Sequence, residues 1–461
     1  MARAETLPLR QRLAGALPEH VLSDDETRVS VAQLLHGTSL DGRAADLAGR
    51  SVLIAASRQL TAALALIELD GVARRVTILP PDTSRDHLAS IVADAEIDAV
   101  VIDNGSRWDS ALDLPVRALC TPGIRAGRNA AAAAAQTEWI LLTSGTVGAP
   151  KLVVHTLASL TAPIGGGKLN HAVWGTFYDI RRYGGLQIFL RAVLGGASLI
   201  LSSGAEPVAA HLQRLGRDGV THLSGTPSHW RRALMSPAIA AVSPRYVRLS
   251  GEIADQAILD GLRATFPDAA IGHAYASTEA GVAFEVNDGR AGFPLTTLDH
   301  AAAGVEMKIV DGSLRIRSPR TASHYLGAAP APLRDGAGFV DTGDMVEQRG
   351  DRYIFAGRRG GIINVGGQKV HPEEIEAVIN RHPQVRMSLV RPRPSPVTGA
   401  IVIADVVLRT APGHTVADSK IKDDILELCR RTLPRHKVPA AISFVPTLDV
   451  ASTGKLARRH G

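Results

Sequence analysis

The chain is poor in cysteine, aromatic residues and long apolar runs, and these shortages narrow its possible classes. Its two cysteines, Cys120 and Cys429, are too few for a disulfide framework and lack C-x-x-C zinc spacing, so we expect free thiols in a reducing compartment. No run approaches the ~20 apolar residues that cross a bilayer, and the N-terminus lacks a signal-peptide core. We therefore predict a cytoplasmic protein without a membrane span.

The charge balance is mildly basic, with a net charge of +6 and a sequence pI of about 9.5. Basic and acidic residues are interspersed, which favours a solvated surface over nucleic-acid binding. A modest positive field still helps to attract small anions such as nucleotides. With 45% hydrophobic and 21% charged residues among 461, the chain is predicted to be globular and to form two or more domains.

Residues 50–103 alternate short apolar runs with segments of helical period. This alternation predicts a parallel β-sheet covered by helices. The predicted strands lie at 51–55, 75–79 and 98–102, and the predicted helices at 57–70 and 84–94. Apolar runs at 196–201, 219–224 and 246–250 continue the same pattern.

The pattern changes near residue 300, where two hairpins are predicted. Asp311-Gly312 stands between runs at 305–310 and 313–317, a strong signal for a tight two-residue turn. A second hairpin is predicted around Gly350. The two together indicate a small antiparallel module after the parallel sheet.

A basic, glycine-rich stretch at 357–361 is the best candidate for a domain boundary, because glycine accepts backbone rotation. The pattern beyond it predicts an α+β unit, with helices at 372–381 and 418–433 and strands at 385–391, 400–408 and 441–446. We therefore expect an N-terminal α/β domain over 1–356, a hinge over 357–361 and a C-terminal α+β domain over 362–461.

The segment 142–151 is the most informative stretch of the chain. It places hydroxyl residues, two glycines and Lys151 directly after the apolar run 139–141. A strand that enters such a loop offers backbone N–H groups, hydroxyl donors and a mobile positive charge to an anion. Pro150 stands where the common nucleotide loop has its second glycine, so the loop is not of that type. A plain turn is the alternative that the segment alone leaves open.

Further segments place polar side chains at suggestive points along the chain. They are Ser250-Gly251-Glu252, 275–281, 341–344, Arg358 and 452–455. Each by itself is more often a turn or a solvated stretch. Their joint order and spacing carry more weight than any one of them.

Together, these segments resemble the acyl-adenylate-forming superfamily of acyl- and aryl-CoA ligases, adenylation domains of nonribosomal peptide synthetases, and luciferases. The resemblance covers nearly the whole chain, from about residue 50 to 459. The matching motifs are T-S-G-T-x-G-x-P-K at 143–151, Y-x-x-T-E at 275–279, T-G-D at 342–344, G-R at 357–358 with 364–376, and T-G-K at 453–455. The family fold implied is a large N-terminal domain followed by a small mobile C-terminal domain.

The resemblance implies that one group of residues binds ATP. Those near the β- and γ-phosphates would be Thr143, Ser144, Gly145, Thr146 and Lys151. Those near the nucleoside would be Ser250, Gly251, Glu252 and Tyr275 at the adenine, and Asp344 with Arg358 at the ribose hydroxyls.

The resemblance also implies three catalytic residues: Thr278, Glu279 and Lys455. Thr278 would reach the α-phosphate, and Glu279 would hold Mg²⁺, a hard cation that prefers carboxylate oxygen. Lys455 would place its ammonium between the attacking carboxylate and the α-phosphate. These residue types suit the chemistry, because a carboxylate that attacks ATP must overcome the repulsion between two anions.

A second half-reaction follows from the same resemblance, in which a thiol attacks the acyl-adenylate after the C-terminal domain has swung about its hinge. The family usually carries Asp or Lys where this chain has Gly360, which is followed by Gly361. Two glycines suit rotation but offer no hinge side chain.

The acid pocket is the least defined part of the predicted site. Tyr178, Asp179 and Gly184 fall where the family builds part of this pocket, and His229 lies on another candidate wall. Asp179 either meets a substrate ammonium, as in amino-acid-activating relatives, or pairs with Arg181 or Arg182. His229 is either a contact or a packed residue.

The function expected is an ATP- and Mg²⁺-dependent carboxylate–CoA ligase that forms acyl-AMP, as a monomer or homodimer. One alternative is a stand-alone adenylation enzyme that loads an acyl or amino-acid group onto a carrier-protein phosphopantetheine. Another is a non-catalytic nucleotide-binding or scaffold protein, against which the presence of Lys151, Glu279, Asp344 and Lys455 argues.

Overall fold

Two large sheets, with helices between and outside them, form the body of the protein. The computed structural model describes residues 7–126, 136–143, 149–165, 167, 169, 171–204, 206–327, 332–396, 398–410, 416–451 and 453–458. The helices are α1 (Leu9–Arg12), α2 (Val31–His36), α3 (Gln59–Leu69), α4 (Leu88–Asp94), α5 (Leu157–Thr161), α6 (Tyr183–Gly195), α7 (Val208–Arg217), α8 (Pro227–Leu234), α9 (Gln256–Thr265), α10 (Pro372–Ile379) and α11 (Val416–Thr432).

The first large sheet has eight strands, and its inner pairs are parallel. In spatial order the strands are β16 (Gly281–Val286), β15 (Ala270–Ser277), β14 (Tyr246–Ser250), β13 (His222–Gly225), β11 (Val173–Thr176), β12 (Ser198–Ile200), β1 (Val21–Ser23) and β2 (Arg28–Ser30). The pairs at its two edges are antiparallel. The parallel pairing predicted for the 196–250 region is confirmed.

The second large sheet has seven strands. In spatial order they are β20 (His324–Leu326), β10 (Leu152–Thr156), β9 (Glu138–Leu142), β5 (Arg75–Ile78), β4 (Ser51–Ile54), β6 (Ala99–Ile102) and β7 (Val116–Leu119). The strands predicted within 50–103 are parallel neighbours, as expected. Strand β10 instead runs antiparallel to β9, so the segment after Leu142 joins two adjacent antiparallel strands.

Helices α3 and α6 lie between the two large sheets. All residues of α3 are buried, which explains why it is mostly apolar instead of amphipathic. Leu64 of α3 and Phe189 of α6 share one core with Val76 of the seven-stranded sheet and Trp174 of the eight-stranded sheet. Helix α4 covers the outer face of one sheet and α7–α9 cover that of the other.

An antiparallel sheet of five strands follows. In spatial order they are β17 (Phe293–Pro294), β22 (Arg352–Arg358), β21 (Val340–Arg349), β19 (Ser313–Arg317) and β18 (Glu306–Val310). Both predicted hairpins are present, and Asp311 (φ 50°) and Gly312 (φ 76°) both adopt the left-handed backbone that a tight hairpin turn needs.

The C-terminal segment has a core of its own. Strands β25 (Val385–Ser395), β26 (Gly399–Leu408) and β27 (Ala441–Phe444) form a sheet whose apolar face packs against α10 and α11. Two short ribbons complete the strands: β23 (Ile363–Val365) with β24 (Gln368–Val370), and β3 (Gly37–Thr38) with β8 (Arg125–Ala126). The predicted α+β composition of this region is confirmed.

The proposed hinge stretch 357–361 is more ordered than its composition suggests. Gly357 and Arg358 are the last residues of β22, paired with β21 next to a register shift. The carboxylate of Glu373 lies where a Cβ on Gly357 would stand, so glycine is needed there for close approach. Residues 359–361 form a single 3₁₀ turn.

Cys120 and Cys429 are both buried and unpaired, as predicted. Within the described ranges, no helix combines the length and hydropathy of a membrane span.

Candidate active site

The carboxyl ends of three neighbouring parallel strands meet at one edge of the eight-stranded sheet. Strands β13, β14 and β15 run in the same direction and end at Gly225, Ser250 and Ser277. Thr226 and Thr278 directly follow two of these ends. Open α/β sheets bind ligands at such edges, because loops there converge around exposed backbone groups.

Tyr275, Asp344 and Arg358 form one hydrogen-bonded cluster at this edge. The Tyr275 hydroxyl donates to Asp344 Oδ2 at 2.5 Å, and Arg358 Nε donates to Oδ1 at 2.9 Å. The Tyr275 ring stacks on Phe355, with centroids 5.2 Å apart. Burial, with the charge of Asp344, raises the pKa of Tyr275, and the charge of Asp344 raises the pKa of Arg358. Tyr275 therefore stays a donor and Arg358 stays a cation near neutral pH.

Thr278 and Glu279 lie just beyond the end of β15. Burial lowers the pKa of His155 to about 4, so its ring is neutral at pH 7. Its Nε2 lies 2.7 Å from the carbonyl oxygen of Thr278, a contact that fixes the backbone of the motif. The Tyr325 hydroxyl lies 3.5 Å from Glu279 Oε1, and Lys151 Nζ lies 5.0 Å from the centre of the Tyr325 ring.

The two ends of the 143–151 loop are held together. The Thr143 N–H donates to the Lys151 carbonyl at 3.0 Å, directly beyond the pairing of β9 with β10. Strand β10 also pairs with β20, which carries Tyr325. Ser144, Gly145 and Thr146 lie outside the described residues.

Lys455 reaches the same edge from the far end of the chain. Its Cε lies 3.7 Å from the point where a Cβ on Gly251 would stand. Lys455 is exposed as a whole residue, although neighbouring protein groups partly desolvate its ammonium. This desolvation, together with the charge of Arg358, lowers the pKa of Lys455, and Glu252 and Asp344 act in the opposite sense.

The carboxylate of Glu252 binds protein groups. It accepts the N–H and the hydroxyl of Ser228 at 2.9 and 3.0 Å, and the N–H of Leu456 at 2.9 Å. The sequence predicts that Glu252 borders the adenine. In the structure, its side chain joins α8 to the segment after Lys455.

Tyr178 and Gly184 lie together beneath Ser250. The buried Tyr178 hydroxyl donates to the Ser250 carbonyl at 2.8 Å and accepts the Ser250 N–H at 3.0 Å. A Cβ on Gly184 would touch the Tyr178 ring at 3.5 Å. Both residues can shape a pocket wall, but the Tyr178 hydroxyl is committed to the end of β14.

Asp179 forms an ion pair, which is the second of its two predicted roles. Arg181 holds both of its carboxylate oxygens, with Nε at 2.8 Å and a terminal nitrogen at 2.7 Å. The two side chains are only 13% and 5% exposed. Arg181 also donates to the carbonyls of Ala56 and Ser57, so the pair anchors the loop before α6.

His229 is a packed residue, the second of its two predicted roles. It stands in the first turn of α8, where Nδ1 accepts the Thr226 N–H at 3.2 Å in a capping box. Its ring stacks on Phe177, with centroids 5.8 Å apart. Burial lowers the pKa of His229 to about 3, so the ring is neutral near pH 7.

Two site residues, His155 and Tyr325, escape sequence reasoning. His155 lies on β10 and meets Thr278 from a distance of 123 residues along the chain. Tyr325 lies on the edge strand β20 outside any motif. Both make contacts with segments that are distant in sequence, for which a single sequence carries no local signal.

A magnesium ion at this site would need phosphate oxygens and water as ligands in addition to carboxylate. In the part of the chain that the structure describes, no three His, Cys, Asp or Glu side chains are grouped as metal ligands. Magnesium at nucleotide sites is commonly held by one or two carboxylates together with phosphate oxygens and water. Glu279, near Lys151 and Tyr325, fits a site of that kind.

Comparison with protein families finds two matching models. The family described as "AMP-binding enzyme" matches residues 48–326, and the "AMP-binding enzyme C-terminal domain" matches residues 374–455. The first match covers the seven-stranded sheet and six of the eight strands of the other large sheet, and the second covers β25, β26 and β27.

Curated relatives and solved structures resemble the chain over 47% to 98% of its length. A 2-succinylbenzoate–CoA ligase of Bacillus cereus is 25% identical over 406 residues, which are 82% of this chain and 80% of the relative. A 4-coumarate–CoA ligase of Glycine max is 28% identical over 47% of this chain and 79% of its own length. The crystal structure of the anthranilate CoA ligase AuaEII with anthranoyl-AMP aligns with a TM-score of 0.81 at 16% identity, over 98% of this chain and 96% of that one. This last similarity concerns the fold.

The Asp179–Arg181 ion pair leads to a stability prediction. Asp179→Ala should lower the free energy of unfolding by about 3 kcal/mol, because it leaves a buried guanidinium without its counter-ion. Urea denaturation measures the loss. Asp46→Ala is the matched control, since its pair with Arg43 is 51% exposed on both sides and should contribute less than about 1 kcal/mol. Equal, small losses in both variants would contradict a stabilising role for the Asp179–Arg181 pair.

Proposed function

Because the chain belongs to the AMP-binding enzyme family, we propose that it is an ATP-dependent carboxylate–CoA ligase that acts through an acyl-AMP intermediate. The observation that carries the proposal is the convergence of Lys455, Glu279 and Asp344 on one sheet edge, from three distant parts of the sequence. The names of the relatives, which are ligases of CoA with aromatic acids, support the choice of acceptor.

The nucleoside of ATP would bind at the Tyr275–Asp344–Arg358 cluster. Asp344 accepts hydrogen bonds from protein donors on both oxygens and retains lone pairs for the two ribose hydroxyls. The adenine would lie along the Tyr275 ring beside the backbone of Ser250 to Glu252. Since hydrogen bonds from Tyr275 and Arg358 hold the Asp344 carboxylate in place, ribose binding requires little reorganisation of that side chain.

The adenylation step joins a carboxylate oxygen to the α-phosphorus and breaks the bond to the β-phosphate, so that pyrophosphate leaves. The Lys455 ammonium lies between the two anions and offsets their repulsion, and the Thr278 hydroxyl donates to the α-phosphate. Lys151 and Thr143, with Ser144, Gly145 and Thr146 of the same loop, hold the pyrophosphate end. Glu279 would hold magnesium, which would supply charge neutralisation at the phosphates.

The thioester step requires the Lys455 side chain to leave. The thiolate of CoA attacks the acyl carbon, and AMP departs with the bonding electrons. We propose that the unit 362–461 rotates about Gly360 for this step. The single 3₁₀ turn at 359–361 lies between β22 and that unit.

An aromatic acid is the substrate class that fits best. The relatives named act on 2-succinylbenzoate and 4-coumarate. Aromatic rings also gather near the candidate pocket, where Phe177 lies 5.8 Å from His229 and 5.5 Å from Trp230 between ring centroids.

The alternative acceptor is a phosphopantetheine on a carrier protein. The loading of an amino acid is less well supported than the loading of an acyl group. Arg181 binds both carboxylate oxygens of Asp179, the residue that would pair with a substrate ammonium. The acyl version uses the same adenylation chemistry.

Product trapping tests the proposed function. Purified enzyme is first screened for acid-dependent pyrophosphate exchange with aromatic, fatty, short-chain and amino acids, and then supplied with the best acid, ATP and either free CoA or a phosphopantetheinylated carrier protein. Acyl-CoA as the product supports the ligase, and transfer only to the carrier would establish the alternative. Absence of exchange with every acid class would overturn both.

Lys455→Ala should abolish acid-dependent pyrophosphate exchange while ATP still binds. The charge that offsets the repulsion of the two anions is lost, whereas the nucleoside and pyrophosphate contacts remain. A loss of about 10²-fold or more is expected from the removal of one such group. Exchange assays and ATP titration calorimetry measure the two properties, and undiminished exchange would contradict the role of Lys455.

Gly360→Pro should retain adenylation and lose thioester formation. Proline fixes φ near −65° and so restricts rotation at the proposed hinge. Gly360→Ala is the control, because a Cβ there meets nothing within 4 Å and alanine keeps φ free to change. Pyrophosphate exchange reports the first step, and acyl-CoA formation from supplied acyl-adenylate reports the second. Equal loss of both steps in the proline variant would remove the hinge from the mechanism.

A further inference from the structure

The turn that carries Lys455 is held by the N-terminal body as well as by its own unit. We call residues 453–456 the lysine turn. Within its own unit, the Lys455 carbonyl accepts the Ala451 N–H at 2.8 Å. Arg458, just beyond the turn, binds both oxygens of Glu376 on α10 at 2.9 and 2.7 Å. A movement of the C-terminal unit must therefore carry the lysine turn with it.

Glu252 makes the first bond from the N-terminal body. Its Oε1 accepts the Leu456 N–H at 2.9 Å, across 204 residues of sequence. The same carboxylate accepts the Ser228 N–H at 2.9 Å, so the start of α8 holds it in place. A charged acceptor so oriented makes a stronger hydrogen bond than a neutral one.

Thr226 makes the second bond. Its hydroxyl donates to the carbonyl of Gly454, across 228 residues of sequence. The same oxygen accepts the His229 N–H at 3.1 Å as the N-cap of α8. The helix cap thus serves as a binding surface for the residue next to Lys455.

His229 provides the third contact, a close steric fit of its ring against Gly454. Its imidazole lies where a Cβ on Gly454 would stand, and Gly454 has a left-handed φ of 74°. The ring is neutral, so it can lie against the backbone without burying a charge. Only glycine allows this close approach with that backbone conformation.

We propose that Thr226, His229 and Glu252 form a socket that holds the lysine turn during adenylation and releases it before thioester formation. The proposal rests on the proposed function for its assignment of the two steps. The three residues are positioning residues: they place the Lys455 ammonium above Gly251 and set the balance between two arrangements of the C-terminal unit. Weakening the socket lowers the fraction of molecules in which the C-terminal unit is placed for adenylation. It does not lower the rate of thioester formation.

Gly454→Ala tests the socket directly. Its Cβ would overlap the His229 ring only while the lysine turn is seated, so pyrophosphate exchange should fall roughly tenfold or more. Thioester formation from supplied acyl-adenylate and CoA should stay within about twofold of the unaltered protein, because the socket is empty in that step. Parallel loss of both steps would identify a general folding defect and overturn the proposal.

A second substitution should rescue the first. His229→Ser removes the ring, and serine can keep the capping box, as Ser159 does with Thr156 at the start of α5. The double variant Gly454→Ala/His229→Ser should recover most of the lost exchange. No recovery would show that overlap with His229 is not the cause. Gly399→Ala is the control for backbone strain, because φ there is 73° and a Cβ meets nothing within 4 Å.

A measurement without substrates separates this proposal from the proposed function. Amide hydrogen exchange of peptides covering 453–458 should be slow in the unaltered protein, faster in Gly454→Ala, and slow again in the double variant. Rapid exchange of this segment in the unaltered protein would overturn the socket whatever the enzyme does. Slow exchange without any acid-dependent pyrophosphate exchange would preserve the socket and reject the proposed function.

Discussion

The seating of the lysine turn on the end of β14 is the contact on which the candidate site depends. Lys455 comes from the end of the chain, and its Cε lies 3.7 Å from the Cβ position of Gly251. No local interaction can bring these two residues together, because 204 residues separate them. The fold does so by setting the C-terminal core beside α8 and by using polar groups at strand and helix ends as the joining surface.

Two tyrosine hydroxyls at this edge already have protein partners before any ligand arrives. The hydroxyl of Tyr178 holds the backbone of Ser250, and the hydroxyl of Tyr275 holds Asp344 together with Arg358. Such bonds keep side chains in one rotamer, so binding energy is not spent on ordering them. Buried tyrosines suit the task, since desolvation raises their pKa and keeps the proton in place.

Several side chains at the site bind or pack against other groups of the protein. Asp179 neutralises Arg181, the Glu252 carboxylate joins α8 to the lysine turn, and His229 packs on Gly454. In a motif these residues look like ligand contacts, because a carboxylate or an imidazole near a binding loop has the right chemistry. Such a side chain is not available to a ligand when another group of the protein already binds it. That partner is often distant in sequence.

The sequence by itself determined the local elements and the chemical inventory. Apolar periodicity marked the parallel strands, Asp311-Gly312 marked a hairpin, and the ordered motifs identified the family. These signals are local, since each depends on backbone preference or on residues within one turn or strand. Tertiary structure alone decided that Tyr325 meets Glu279, that Thr226 holds Gly454, and that Asp179 is paired. Those contacts depend on strand order and on the seating of two cores, which no short segment encodes.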